Sequence, residues 1–172
     1  MIAPSSPDNE QARLSALHNL ELLDTQADEG FDRLTELATR IFDVPMSMIT
    51  LVDEDRQWFK SRQGLSVCET PRRISFCGHV VADGVPLVIH NALKDARFAD
   101  NPLVLGSPFI RFYAGYPLFV ESGACIGTLC LIGTLPRAFD EGDMDRLRLM
   151  AALAEELVSL HVLRVQTARG DT

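Results

Sequence analysis

The sequence predicts an α+β domain: a central antiparallel sheet with terminal helices on one face and a pocket roofed by loops and a short helix on the other. Three observations predict it. Helical periodicity at both ends gives way to short strand-like runs between them. Those runs come in pairs joined by tight turns, DEDR and ESG, which read as hairpins. The run CIGTLCLI is apolar on both alternating faces, so that strand is central and covered on both sides.

The elements follow in order. Asp8 or Asn9 caps a first helix to about Leu23, with Leu14, Leu17 and then Leu20 or Leu22 at helical spacing. After the turn DTQADEG, a second helix covers Phe31 to Phe42, with Phe31, Leu34, Leu37, Ala38 and Ile41 on one stripe; Pro45 breaks the chain. MSMITLVD is a buried strand and QWFKSRQG its return. Residues 68–73 form a loop in which Pro71 excludes a long helix. ISFCGHVVADG is a short helix ended by Gly84, and VPLVIHNA a short strand. Residues 93–109 carry Pro102, Gly106 and Pro108 and read as loop with one helical turn. RFYAGYPLFV and ACIGTLCLIG form the second hairpin, and Asp140 caps a last helix to about Val165.

The chain of 172 residues, 47% hydrophobic and 23% charged, suits one globular domain. It divides into a flexible tail at 1–9, the domain at 10–165 and a polar tail at 166–172. No apolar run reaches membrane-spanning length, and MIAPSSPDNEQ lacks the basic and apolar parts of a signal peptide. A cytoplasmic protein with four free thiols is expected, at Cys68, Cys77, Cys125 and Cys130. The net charge of −8 disfavours nucleic acid and anionic membrane as partners. Arg56, Lys60, Arg62, Arg72 and Arg73 form a weak basic patch, read as a solvated face.

The blocks RQWFKSRQGL, ETPRRISFCGHV, NALKDARFADNPLV, PFIRFYAGYPL and IGTLCLIG occur in this order over residues 10–165, and together they resemble the GAF domain family. The similarity is to the subgroup that accompanies diguanylate cyclases and sensor histidine kinases. Gly133, Asn91 and Arg73 stand where that subgroup usually carries acidic residues. The resemblance implies a sensory module with a ligand pocket on one sheet face. No bilin or cyclic-nucleotide pattern accompanies it, so no cofactor is required and the ligand is an unidentified small molecule.

Cys77 and His79 invite a reading as nucleophile and base, but two positions apart on a helix they diverge by about 200°. Cys125 and Cys130, five apart on one strand, face opposite sides and join a metal site only through a bulge, so no metal is expected. A lone His79 or His90 is a weak haem ligand. The glycines form no phosphate loop, and the carboxylates of residues 53–55 suit a turn. Phe76, Cys77, His79, Phe98, Phe109, Arg111 and Tyr113 are the candidate pocket residues, with Phe112 beside them; they suit an apolar ligand bearing one polar or anionic group.

The last helix carries two stripes. Leu147, Met150, Ala154 and Leu157, continued by His161 and Arg164, form a seam expected to join Leu14 and Leu17 of the first helix across a homodimer. Leu149, Leu153, Leu160 and Leu163 form the second. The function expected is non-enzymatic: a sensor that signals to a partner or output protein through helix packing. The alternatives are a cysteine-dependent enzyme of the free methionine sulfoxide reductase type and a dimerisation domain with an empty pocket.

Overall fold

The computed structural model describes residues 1–170. Six strands form one antiparallel sheet: β1 (Met46–Val52), β2 (Arg56–Gln63), β3 (Glu69–Pro71), β4 (Leu87–Ile89), β5 (Phe112–Phe119) and β6 (Cys125–Gly133), in the order β3-β2-β1-β6-β5-β4. β6 lies between β1 and β5 and is buried along its whole length, as its two apolar faces predict.

One face carries α1 (Glu10–Asn19), α2 (Glu29–Phe42) and α5 (Glu141–Gly170). The Asp28 side chain caps α2 by accepting the Gly30 amide at 2.8 Å. Asp140 caps α5 by accepting the Asp143 amide at 2.8 Å. α1 ends four residues earlier than expected. Left-handed turns at Glu21 and Asp24 redirect the chain so that Leu22 enters the core, a demand that outweighs its helical spacing. α5 continues to Gly170, past the expected end at Val165; Asp171 and Thr172 of the expected polar tail lie outside the described residues. Residues 1–9, expected as a flexible tail, lie against the opposite face, where the Ile2 amide donates to Arg97 O at 3.0 Å.

That opposite face is closed by α3 (Phe76–Asp83), the short helix α4 (Pro102–Leu105) and the loops around them. Strand alternation sorts the side chains between the two layers: Ile49, Leu51, Phe112, Leu129 and Leu131 meet the helices, while Met48, Tyr113, Cys130 and Ile132 meet α3 and the loops. Phe112 therefore belongs to the helix layer, beside Phe139, and not to the roofed side.

The expected dimer seam is corrected by the same layering. Leu17, Leu147, Met150 and Ala154 are buried in the chain's own core, and Leu14 and Leu157 are half-buried. α5 needs that stripe to cover the sheet and α2. The stripe left in solvent is Leu149, Leu153, Leu160 and Leu163, of which Leu153 and Leu160 share a surface cleft with exposed Leu37 of α2; Ile41 of α2 is exposed as well.

Candidate functional site

α3 is built by its two ends. The Ser75 hydroxyl accepts the Gly78 amide at 2.8 Å, and Gly84 ends the helix with φ 65°, a conformation that favours glycine. The helix turns Phe76, Cys77, Val80 and Val81 inward over the sheet. His79 points away from Cys77: its ring meets the edge of Phe98 at 5.0 Å, and its Nε2 contacts Ile2 O at 3.1 Å. The divergence expected for this pair is what α3 produces, and burial pulls the His79 imidazole below its ordinary pKa.

The aromatic residues fill the space they were expected to wall. Phe76 stacks on Phe98 at 4.0 Å and lies 5.1 Å from Tyr113, and all three are buried. Within the roof, buried Asn101 ties α4 to the turn before α3: its side-chain amide donates to Ile74 O at 2.9 Å while its oxygen caps α4. Of the candidate residues, Phe76, Cys77, His79, Phe98 and Tyr113 therefore come together. Phe109 does not: it is 52% exposed in a left-handed turn. Arg111 holds the loop, donating through Nη1 to Val104 O at 2.8 Å and Ile110 O at 3.0 Å.

Beneath the aromatic stack lies a polar cluster that sequence reasoning missed. Thr50 of β1 and Thr128 of β6 are a cross-strand pair with hydroxyls 2.9 Å apart. The Tyr113 hydroxyl donates to Cys77 Sγ at 3.2 Å, and Cys77 Sγ lies 3.7 Å from Cys130 Sγ. Burial opposes a charge on Cys77. The Tyr113 hydroxyl and the polar groups of Cys130, Thr128 and Thr50 around the sulfur outweigh it and draw the thiol below its ordinary pKa. Burial and the neighbouring sulfur push Cys130 up instead, and burial with the two sulfurs does the same to Tyr113. Gly115 makes room for this arrangement, because a Cβ there would stand 2.2 Å from the Tyr113 hydroxyl. The legible signal was the pair of hydroxyl residues inside otherwise apolar strands. β6 also contains a bulge: the register slips between Leu118 and Phe119, and Cys125 joins the layer of Cys130. Among the described residues no three His, Cys, Asp or Glu side chains are placed to hold one metal ion.

Apart from exposed Arg73, the basic patch is taken up by internal contacts. Arg56 pairs with Asp24 and Glu69 at 2.7 Å each. Lys60 is buried, donates to Thr25 Oγ1 at 2.9 Å and Gln26 O at 2.6 Å, and is pulled below its ordinary pKa by burial. It borders a surface cleft of about 590 Å³ beside the open edge of β2. Arg72 is buried and pairs with Glu10, which also bridges Arg13 through two bonds of 2.8 Å. Arg13 in turn donates to Val52 O at 2.7 Å and fastens α1 to the sheet.

Comparison with known proteins places this geometry. A GAF domain profile matches residues 26–158. A cyclic di-GMP phosphodiesterase of Pseudomonas aeruginosa is 39% identical over 165 residues, which are 95% of this chain and 28% of that protein; the chain thus spans less than a third of the relative's length. The GAF domain of an Acinetobacter phosphoenolpyruvate-protein phosphotransferase superposes with TM-score 0.67 at 19% identity, covering 91% of this chain and 98% of that one. A free methionine-R-sulfoxide reductase from Neisseria meningitidis superposes with TM-score 0.56 at 21% identity, covering 100% and 99%. These findings correct the expectation of a non-enzymatic function: the relative 39% identical over the aligned 165 residues is named for an enzymatic activity, and an enzyme shares the fold. No helix among the described residues is long and apolar enough to cross a membrane.

Proposed function

The chain belongs to the GAF domain family, and from that membership we propose that it is the sensory segment of a cyclic di-GMP phosphodiesterase in the cytoplasm. The observation that carries this reading is the alignment of nearly the whole chain with 28% of the length of such an enzyme. A shared segment of that size is a module. The module's layered build supports a division of labour, with recognition under α3 and output through α5.

The ligand is a small molecule held between the sheet and residues 64–111. Phe76, Phe98 and Tyr113 form the surface it would meet, with His79 at the rim. Because these side chains pack directly on one another, binding between them requires Phe98 or α3 to move, and that movement is the signal. Exposed Leu149, Leu153, Leu160 and Leu163, with Leu37 of α2, form the helical surface through which a second copy or an output segment receives it.

The test is cyclic di-GMP hydrolysis by the Pseudomonas aeruginosa enzyme with this chain grafted in place of its matching segment. The graft should retain hydrolysis, and Phe98→Ala within it should change the rate at least about threefold through altered packing. A graft whose rate ignores every substitution under α3 would remove the sensory reading.

A further inference from the structure

We propose that Cys77 and Cys130 form a redox-active pair that peroxide converts to an intramolecular disulfide, locking α3 to the central strand. The reading stands apart from the phosphodiesterase assignment, because it concerns an oxidant rather than a bound ligand.

The geometry comes first. Cys77 lies in the first turn of α3 and Cys130 in the middle of β6, and their sulfurs face each other at 3.7 Å. A disulfide needs about 2.05 Å, so the two sulfurs must close by about 1.6 Å. Cys130 sits on a strand hydrogen-bonded on both sides and is fixed. α3 is eight residues long, enters from a single helical turn at Arg72–Ile74 and leaves into Gly84, so it is the side that can give.

The chemistry around the pair is asymmetric. Cys77 accepts the Tyr113 hydroxyl at 3.2 Å and has the hydroxyl pair Thr50–Thr128 nearby on the sheet, and these groups favour its thiolate. Cys130 is held as the thiol. An attacking thiolate beside a resolving thiol is the arrangement that thiol oxidation requires. The thiolate of Cys77 attacks one oxygen of hydrogen peroxide. The O–O bond breaks, Cys77 becomes the sulfenic acid, and the departing hydroxide takes a proton to become water. Cys130 sulfur then attacks the sulfenic sulfur, its own proton leaves with the displaced hydroxide as a second water, and the S–S bond forms. Two thiols and one peroxide yield one disulfide and two waters, and a thiol reductant returns the two electrons.

Access follows from the covering. The outer side of α3 is closed by residues 1–9: the Cβ position of Gly78 would lie 2.6 Å from Pro4, and His79 is bonded to Ile2. Those contacts are few and at the surface, so α3 can lift enough to admit a molecule little larger than water. Cys68 is exposed, away from the pair, and Cys125 bonds to Gly127 O at 3.7 Å while burial pushes its thiol up to about 11.

The test is peroxide titration of the reduced chain at pH 7, read by intact mass and peptide mapping. A Cys77–Cys130 linked peptide should appear in the parent and in Cys68→Ser, vanish in Cys77→Ser and Cys130→Ser, and disappear on reduction. Tyr113→Phe, which keeps both cysteines, should form the same bond at least about threefold more slowly, as loss of a donor to the thiolate requires. Oxidation confined to Cys68 in the parent, or linkage that proceeds only after the chain is unfolded by urea, would overturn the proposal. An unchanged rate in Tyr113→Phe would overturn the role given to the hydroxyls.

Discussion

Glu10 places one carboxylate between two guanidinium groups, Arg13 and Arg72, at the joint between α1 and the sheet. Burial opposes its charge, but the two arginines overrule burial and hold the carboxyl at about 2. A carboxyl lowered on folding stabilises the native state above its unfolded pKa and loses that contribution as pH falls. Stability should therefore decline between pH 4.5 and about 2 in urea unfolding, and Glu10→Gln should flatten that limb. The same variant should cost about 1.5–3 kcal/mol at pH 7, the range for hydrogen bonds to a charged group. Gly115→Ala is the second test at this scale. Its methyl group meets the Tyr113 hydroxyl, so about 1–3 kcal/mol of stability should be lost to overpacking in thermal unfolding. Neither site was legible in the sequence. Arg72 reads there as a solvated cation, because its partner Glu10 lies 62 positions away. Thr50 and Thr128 left a trace, two hydroxyl residues in otherwise apolar strands, but the 78 positions between them hid their contact.

The helices divide their faces in a way that periodicity could count but not orient. α5 carries two apolar stripes, and either could have met the sheet. Docking selects Leu147, Met150, Ala154 and Val158, and leaves Leu149, Leu153, Leu160 and Leu163 outside. Substitution should separate the two roles. Leu147→Ala should cost about 2–5 kcal/mol in denaturant unfolding, the range for a buried leucine. Leu153→Glu should leave the monomer's stability within about 0.5 kcal/mol, as an exposed position does. If the outer stripe joins two copies, light scattering at micromolar concentration should show a dimer that Leu153→Glu dissociates. α2 repeats the pattern: Phe31, Leu34 and Ala38 are inside, whereas Leu37 and Ile41, expected on the same stripe, are exposed. A stripe wider than the contact it meets leaves its edge in solvent.

For the molecule as a whole, the hairpins, the doubly covered central strand and the split between helical and loop-built layers were all legible, since each follows from apolar patterning within one element. The state of the roofed side was not. Whether five aromatic and polar residues wall a space or fill it depends on ångström-scale packing between segments distant in the chain. Arg111 illustrates this: as a lone cation among aromatic residues it reads as a ligand contact, yet it braces residues 104–110. Arg111→Ala should raise amide exchange across residues 101–111 at least about tenfold while leaving α2 and α5 protected. The feature with the longest reach is α5. Its last core residue is Val158, so twelve residues to Gly170 extend past the packed interface, moored to the α1–α2 connection by His161 on Glu21 O, Arg164 on Asp28 and Arg169 on Glu21. The span from Leu147 to Gly170 is about 35 Å at 1.5 Å per residue, and a tilt of about 5° at the sheet swings its far end by about 3 Å. Rigid near its fulcrum and tethered by polar moorings beyond it, α5 has the geometry of a lever arm, in which a small displacement at the sheet grows toward the far end.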